Sequence, residues 1–467
     1  MEKNINTLFS IFDTQKNFAT TSGDFSTKNI TSKLSHLLDV FKKYEKELLT
    51  YLNKVYNKPY WDIYKTDTLL IKREIKYFIR NINKYRKLKN MNFTPSILTY
   101  AKTYEVHRPY GCCLMLINDL FPLSKVFIPI IGALACGNTL FIKLPNYENN
   151  VNKIIKTIIK EVFNDNFVYF LNENISDQEF KNVLDFNFDL VFYSGDNAGG
   201  KSIIKTFSGR TVKLITDIYS KCPLVVDETA DLEKVAKQIV WAKMFNAGQT
   251  TLSPYYLIIH ESVVKTFLNH LKVEYEKQYP QNNRWQTFTK ISSNKEFDNI
   301  SLTLNKALQK NKVMFGGEVK QDENKIELTL ISVDDLKSPI LSQDLYSPIL
   351  PVVIFNSFSD VNGIVKHYDN PSAIYIYSRN KKRIKMLSNE LESRYFYIND
   401  LTIPYFKKYW YGGIMNSGSN IYGCKESVKI FSYKRLIFKN SSSFANQRFK
   451  EFNKKENKIK NKFSIVK

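Results

Sequence analysis

The segment between residues 110 and 226 constrains the fold most strongly, because short apolar runs alternate there with segments of helical spacing. Residues 124–135, 150–163 and 198–207 have the helical spacing. The apolar runs are Cys112–Ile117, Thr139–Ile142, Phe167–Leu171, Leu190–Tyr193, Val212–Ile215 and Leu224–Val226. A strand that is apolar on both faces must be covered on both faces. The pattern therefore predicts an α/β fold with a doubly wound parallel sheet that contains all of these runs.

Helices are predicted before this segment, and a second α/β unit is predicted after it. Apolar residues at three- and four-residue spacing predict a helix over 30–56, and a second, basic helix is predicted over 68–90. The second unit begins at about residue 228 with a helix over 232–246 and the strands Tyr255–His260, Ile349–Phe355 and Ala373–Tyr377. The sequence after residue 441 is polar and basic, which predicts a flexible or marginally helical tail.

The chain has a net charge of +23, from 68 Lys and Arg against 45 Asp and Glu. A surplus of this size suits binding to an anionic membrane or to RNA. Lys is spread over the whole length, however, and Asn, Ile, Tyr and Phe are abundant with it, as in chains encoded by AT-rich genes. We favour codon usage as the origin of the charge. Peripheral contact with an anionic membrane stays open as an alternative, and nucleic acid is the less expected partner.

Several classes of protein do not fit the sequence. It has no run of about 18 apolar residues and no basic N-terminal stretch followed by an apolar one, so we expect neither a transmembrane helix nor a secretory signal. The five cysteines form no CxxC pair, and the histidines have no metal-ligand spacing. These observations predict a cytoplasmic, intracellular protein without structural disulfides or a metal.

A glycine-containing turn follows one of the predicted strands. Phe192-Tyr-Ser-Gly195 ends the strand, and Gly200-Lys201 lies in the helix that follows. The backbone amides near Gly195 and Gly200 would face a phosphate at the helix N-terminus, where the helix dipole favours negative charge. Joints of this kind are also common without a ligand, so this turn alone is a weak indication of a dinucleotide site.

Further blocks accompany this turn in a fixed order. They are Arg108-Pro-Tyr-Gly111, Gly132-Ala-Leu-Ala-Cys-Gly-Asn138, Asn246-Ala-Gly-Gln-Thr-Thr-Leu-Ser-Pro254 and Asp344-Leu-Tyr-Ser-Pro348. With them the chain resembles the aldehyde dehydrogenase family, class 3 or fatty-aldehyde type, over about residues 30–440. The resemblance implies the aldehyde dehydrogenase fold and a homodimer. It implies a Rossmann-like cofactor domain in 1–225, an α/β catalytic domain in 226–415, a bridging and oligomerisation segment in 416–440 and a basic tail in 441–467.

The resemblance also implies a catalytic set that this chain lacks. In the family a Cys after Gly-Gln-Thr attacks the aldehyde, whereas here the position is Thr251, whose hydroxyl is a much weaker nucleophile than a thiolate. The family's oxyanion-stabilising Asn is replaced by Leu120, and its general-base Glu by Asp217. Asn118 and Cys222 lie near these positions in the sequence. A strand-end cap and a buried core residue are the simpler interpretations of the two.

The cofactor positions implied by the resemblance are mixed. Lys143 matches the family lysine that contacts the adenosine ribose, and Gly195 and Gly200 match the turn beside the pyrophosphate. Asn146 replaces a ribose-binding Glu, which removes a charge that would repel the 2′-phosphate of NADP. Asp196 brings a negative charge towards the pyrophosphate unless it faces solvent, and Asp344 replaces the Glu that holds the nicotinamide ribose. NAD or NADP is therefore the implied cofactor, at a site that is partly altered.

Because these positions change together, we predict a catalytically impaired or inactive family member with a scaffold or regulatory role. The alternative is an active NAD(P)-dependent aldehyde dehydrogenase that oxidises a small-molecule aldehyde to a carboxylic acid. A further alternative is binding to an anionic membrane or RNA through the basic surface.

Overall fold

The structure is a computed structural model that describes residues 2–21, 25–91, 101–117, 123–145, 151–310, 312–368, 370–401, 411–440 and 452–463. The first helices are α1 (Glu2–Thr21), α2 (Thr27–Tyr56), α3 (Tyr60–Ile63), α4 (Leu69–Arg86), α5 (Ser124–Cys136), α6 (Val151–Lys160), α7 (Asp177–Leu184), α8 (Asn197–Phe207) and α9 (Leu232–Met244). They are followed by α10 (Val264–Gln278), α11 (Arg284–Thr287), α12 (Asn294–Gln309), α13 (Pro339–Ser342), α14 (Ser359–Lys366), α15 (Lys381–Glu390), α16 (Lys425–Phe431) and α17 (Phe452–Lys462).

The first strands are β1 (Lys89–Met91), β2 (Ala101–Pro109), β3 (Cys112–Ile117), β4 (Thr139–Lys143), β5 (Val168–Phe170), β6 (Leu190–Gly195), β7 (Lys213–Ile218), β8 (Cys222–Val226), β9 (Pro254–His260) and β10 (Val313–Phe315). The remaining strands are β11 (Val319–Lys320), β12 (Lys325–Ile326), β13 (Thr329–Ser332), β14 (Ile349–Phe355), β15 (Ala373–Tyr377), β16 (Tyr395–Ile398), β17 (Tyr411–Gly412), β18 (Ile421–Tyr422) and β19 (Ser432–Asn440).

A five-stranded parallel sheet in the order β5-β4-β3-β6-β7 forms the first unit. Alternate residues of β3 pack on opposite faces, as the two-residue period of a strand requires. Cys113, Met115 and Ile117 pack in the core beneath α2, α4, α5 and α6. Cys112 and Leu114 pack in the core beneath α1, α7 and α8. The predicted doubly wound parallel sheet is therefore confirmed.

A seven-stranded sheet in the order β10-β13-β14-β9-β8-β15-β16 forms the second unit, with only β10 antiparallel among its pairings. The prediction that Leu224–Val226 belongs to the first sheet is wrong. This run lies in β8, which pairs with β9 and β15. An apolar run shows that a strand is buried but not which sheet it joins, so the sequence pattern alone did not separate the two units.

A three-stranded antiparallel sheet joins segments that are far apart in sequence. β2 pairs with β1 on one side and with β19 on the other, from Ala101 opposite Asn440 to Pro109 opposite Ser432. The predicted helices 30–56 and 68–90 correspond to α2 and α4, whereas α1 was not predicted. Within the predicted tail, the structure describes helix α17. None of the described helices combines the length and the apolar run that crossing a bilayer needs.

Glu74 connects the N-terminal helices to the segment before β19. Its buried carboxylate accepts hydrogen bonds from the backbone N–H of Cys424, at 2.7 and 2.8 Å, and from Ser427 Oγ at 3.3 Å. Burial raises the pKa of Glu74 to about 7, although these hydrogen bonds oppose the shift. Glu74 is therefore an acid whose protonation is favoured by folding.

We expect Glu74 to make folding stability fall as the pH rises from about 4.5 to about 7. In this range the unfolded carboxyl is ionised while the folded one keeps its proton, so each increment of pH favours the unfolded state. The expected loss is at most roughly 3 kcal/mol relative to Glu74→Gln, which cannot titrate. Urea denaturation of both proteins across this pH range measures it.

The matched control is Glu161→Gln, because the exposed Glu161 carboxyl has its pKa lowered by a hydrogen bond from Lys43. Because its folded pKa lies below 4.5, both states of this carboxyl are ionised above that pH, so the stability difference between wild type and Glu161→Gln should stay constant from about pH 4.5 to 7. A difference between wild type and Glu74→Gln that does not change with pH would contradict the assignment.

Candidate functional site

The candidate residues lie where two sheet edges meet. Lys143, Gly195 and Asp217 lie at the carboxyl ends of β4, β6 and β7, which share one edge because the strands are parallel. Thr251 precedes β9 and Asp344 precedes β14, at the amino edge of the second sheet. The side chains of the two units touch across this cleft. Asp344 contacts the start of α8, and Tyr346 packs on the segment after β7.

The loop that carries Thr251 is held in a fixed shape by its neighbours. Asn246 and Ala247 both have a φ of 52°, and a Cβ on Gly248 would lie 2.2 Å from the carbonyl oxygen of Ser347. Gln249 donates to the carbonyl oxygens of Asn246 and Lys290, at 3.0 and 2.9 Å. The Asn246-Ala-Gly-Gln block therefore shapes the loop whatever residue stands at position 251.

Thr251 itself is partly buried, and among the described residues none hydrogen-bonds to its hydroxyl. Its carbonyl oxygen accepts a hydrogen bond from the Cys222 thiol, at a sulfur–oxygen distance of 3.3 Å. Cys222 is therefore close to the position of the missing nucleophile. Burial raises the pKa of its thiol to about 11, so Cys222 stays protonated near neutral pH and is a poor replacement.

Asp217 forms a buried ion pair with Lys125. One of its carboxylate oxygens, Oδ2, lies 3.1 Å from Lys125 Nζ and accepts hydrogen bonds from Tyr422 Oη at 2.8 Å and Ser194 Oγ at 3.4 Å. The side chains of Asp217 and Lys125 are 4% and 3% exposed. A carboxylate that must leave a buried cation before it can take a proton is a poor general base.

The residues that follow Asp217 fill the cleft. The Tyr219 ring is buried against Tyr346, with ring centroids 5.1 Å apart, and Lys125 Nζ lies 5.6 Å from its centroid. Ser220 Oγ donates to Ser372 Oγ at 2.9 Å, and the carbonyl oxygen of Ser220 accepts a bond from Tyr346 Oη at 3.1 Å. These side chains pack the two units together.

The residues present do not fit a dinucleotide pyrophosphate. Asp196 Oδ1 accepts the N–H of Gly199 at 2.6 Å, and the Asp344 carboxylate lies near the backbone of Asn197, so two carboxylates face the start of α8. A Cβ on Gly200 would lie 2.6 Å from Ile218 Cδ1, so this glycine allows the helix to pack on β7. Among the described residues, no three His, Cys, Asp or Glu side chains form a metal site.

Of the remaining predicted site residues, the structure describes Lys143. Lys143 lies with its ammonium 5.4 Å from the Phe180 ring centroid, and burial lowers its pKa. Its place at the end of β4 is compatible with the predicted ribose contact. Leu120, Asn118 and Asn146 lie outside the described residues.

Sequence reasoning missed two buried lysines beside the site. Lys125 lies in α5, whose sequence SKVFIPIIGALAC is otherwise without charge, and an ionised residue in such a helix needs a buried partner. Lys243 lies in α9 and donates to the carbonyl oxygen of Pro254 at 3.2 Å. Burial lowers its pKa to about 7. A charge inside an apolar helix was the signal available for Lys125, whereas α9 carries further charges and gave no such signal for Lys243.

The chain is similar to known aldehyde dehydrogenases in sequence and in structure. The model of the aldehyde dehydrogenase family matches residues 13–437. The chain is 30% identical to the 4,4′-diaponeurosporen-aldehyde dehydrogenase of Staphylococcus aureus over 89% of this chain and 91% of that protein. It is 25% identical to the "aldehyde dehydrogenase, dimeric NADP-preferring" of Canis lupus familiaris over 86% of this chain and 88% of that protein. It superposes on the substrate-bound state of Staphylococcus aureus AldH with a TM-score of 0.87 and 28% identity, covering 93% and 94% of the two chains.

Removing Lys125 should be strongly destabilising, because Lys125→Met leaves the Asp217 carboxylate buried without its cation. The expected cost is about 3–5 kcal/mol in the free energy of unfolding. The double variant Lys125→Met/Asp217→Asn should recover part of this cost, because the uncompensated charge is gone.

The matched control is Lys42→Met, which breaks the exposed Lys42–Asp39 pair and should change stability by less than about 1 kcal/mol. Urea denaturation compares the four proteins at constant pH. A Lys125→Met variant as stable as Lys42→Met would show that Asp217 does not depend on the ion pair.

Proposed function

The chain belongs to the aldehyde dehydrogenase family, and we propose that it is a non-oxidising member that acts as a scaffold or regulatory subunit. The observation that carries this proposal is the buried Lys125–Asp217 ion pair, which holds the carboxylate at the family's base position. The family fold is kept over nearly the whole chain. What differs is the chemistry available in the cleft.

Oxidation of an aldehyde by this family requires a nucleophile that adds to the carbonyl carbon and then departs as the leaving group when water hydrolyses the acyl intermediate. A thiolate does both, whereas the Thr251 hydroxyl needs a strong base within hydrogen-bond reach. Among the described residues, no carboxylate or imidazole hydrogen-bonds to Thr251 Oγ1. The Asp217 carboxylate is instead bound by Lys125, Tyr422 and Ser194.

Assembly is the property that we propose this chain keeps. β2 and β19 form a long antiparallel pair that exposes Leu436 and Phe438, at 52% and 63% of their surface. Exposed apolar residues on a sheet are typical of an interface with another chain. The similar canine enzyme is named as dimeric, which supports a homodimer here. Contact of the basic tail with an anionic membrane stays a prediction.

The runner-up is an active NAD(P)-dependent aldehyde dehydrogenase. It is favoured by the match along residues 13–437 and by the names of the relatives, which are dehydrogenases. It requires Thr251, or another group in the cleft, to replace the thiolate. The two proposals differ in whether purified protein reduces a nicotinamide cofactor in the presence of an aldehyde.

We expect purified protein to form NADH or NADPH from medium- and long-chain aldehydes at least about 1,000-fold more slowly than the Staphylococcus aureus relative, because several contributions to catalysis are lost together. Thr251→Cys should stay inactive as well, since Asp217 remains paired with Lys125. Cofactor reduction followed by absorbance measures both rates. Turnover by the wild type that disappears in Thr251→Ala would overturn the proposal in favour of the runner-up.

A further inference from the structure

The first turn of α8 faces two of the chain's own carboxylates. The first N–H groups of a helix have no partner within the helix and carry a partial positive charge, so they bind anions. Here Asp196 Oδ1 accepts the N–H of Gly199 at 2.6 Å, and the Asp344 carboxylate lies near the backbone of Asn197. The first carboxylate comes from the same loop, and the second comes from the other unit across the cleft.

The turn before α8 is also filled from within. Tyr193 Oη donates to the carbonyl oxygen of Asp196 at 3.1 Å, and a Cβ on Gly199 would lie 2.2 Å from this hydroxyl. Gly199 therefore makes room for Tyr193. In a dinucleotide site, a glycine at such a turn instead allows the backbone to approach the pyrophosphate.

The charge around this helix terminus is also unfavourable for a phosphate. Glu296, at the start of α12, lies close enough to Asp196 for the two charges to interact, and both burial and Asp196 raise the pKa of Glu296. Burial also raises the pKa of Asp344, although the cations of Lys221, whose Nζ is 4.0 Å away, and of Lys201 oppose the shift. Lys221 donates in addition to the carbonyl oxygen of Ser342 at 2.6 Å. A pyrophosphate would thus meet carboxylates from Asp196, Glu296 and Asp344.

We propose that Asp196 and Asp344 are the residues that exclude dinucleotides from this cleft, Asp196 by taking the Gly199 amide that a pyrophosphate would need and Asp344 by placing a second carboxylate at the start of α8. The inference rests on the proposed function and names the residues that separate this chain from a cofactor-binding one. A pyrophosphate would have to displace Asp196 from Gly199 and then lie beside two further carboxylates. Asn at position 196 would keep the amide acceptor that caps the helix while removing the charge.

The test is calorimetric titration of the full chain with NAD+ and with NADP+. Wild type should show no binding at cofactor concentrations up to about 1 mM. Asp196→Asn and Asp344→Asn should each tighten binding by about tenfold, and the double variant by about 100-fold, because each removes one repulsive charge. The matched control Asp231→Asn changes the N-cap residue of α9, which accepts the N–H of Lys234 at 3.2 Å, and should not bind either cofactor.

Micromolar binding by the wild type would overturn the inference, as would a double variant that binds no better than Asp231→Asn. Thermal melting checks that each variant is folded. If the double variant does not fold, Asp344→Asn decides, because Asp344 does not cap its own helix. The proposed function is tested separately. Wild type that binds NAD+ but does not oxidise aldehydes would contradict the exclusion of dinucleotides by Asp196 and Asp344, and would leave the proposed function standing.

Discussion

The buried ion pair between Lys125 and Asp217 is the interaction on which the site's chemistry depends. Two charged side chains at 3–4% exposure are stable inside a protein only when they are paired and hydrogen-bonded. Asp217 meets this condition through Lys125, Tyr422 and Ser194, which come from α5, β18 and β6. The pair thereby joins the first sheet to the segment before α16. A carboxylate with this structural role has little freedom left to act as a base.

The rest of the cleft follows the same principle, because polar groups that would face a ligand face each other instead. Tyr219 packs between Lys125 and Tyr346, and Asp344 lies across the cleft near the start of α8. Each contact satisfies a buried group and also joins the two units. The family scaffold is retained because its core and loop geometry, such as the Gln249 hydrogen bonds, do not depend on the nucleophile.

Much of the fold was predictable because its strands are continuous apolar runs. Cys112–Ile117, Ile349–Phe355 and Ala373–Tyr377 match β3, β14 and β15 to the residue. The assignment of Leu224–Val226 to the first sheet was wrong, because partner choice depends on contacts with Ala373–Tyr377 far along the chain. Family motifs located the candidate site positions. They gave no account of Lys125, because a lysine outside a motif reveals its role only when its partner is known.

The most direct test of this account is a crystal structure of the full chain grown with a large excess of NAD+. We predict a cleft without the dinucleotide, Asp196 Oδ1 on the N–H of Gly199, and Asp217 within about 3 Å of Lys125 Nζ. A pyrophosphate on the first turn of α8, with Asp217 turned away from Lys125 towards Thr251, would contradict it.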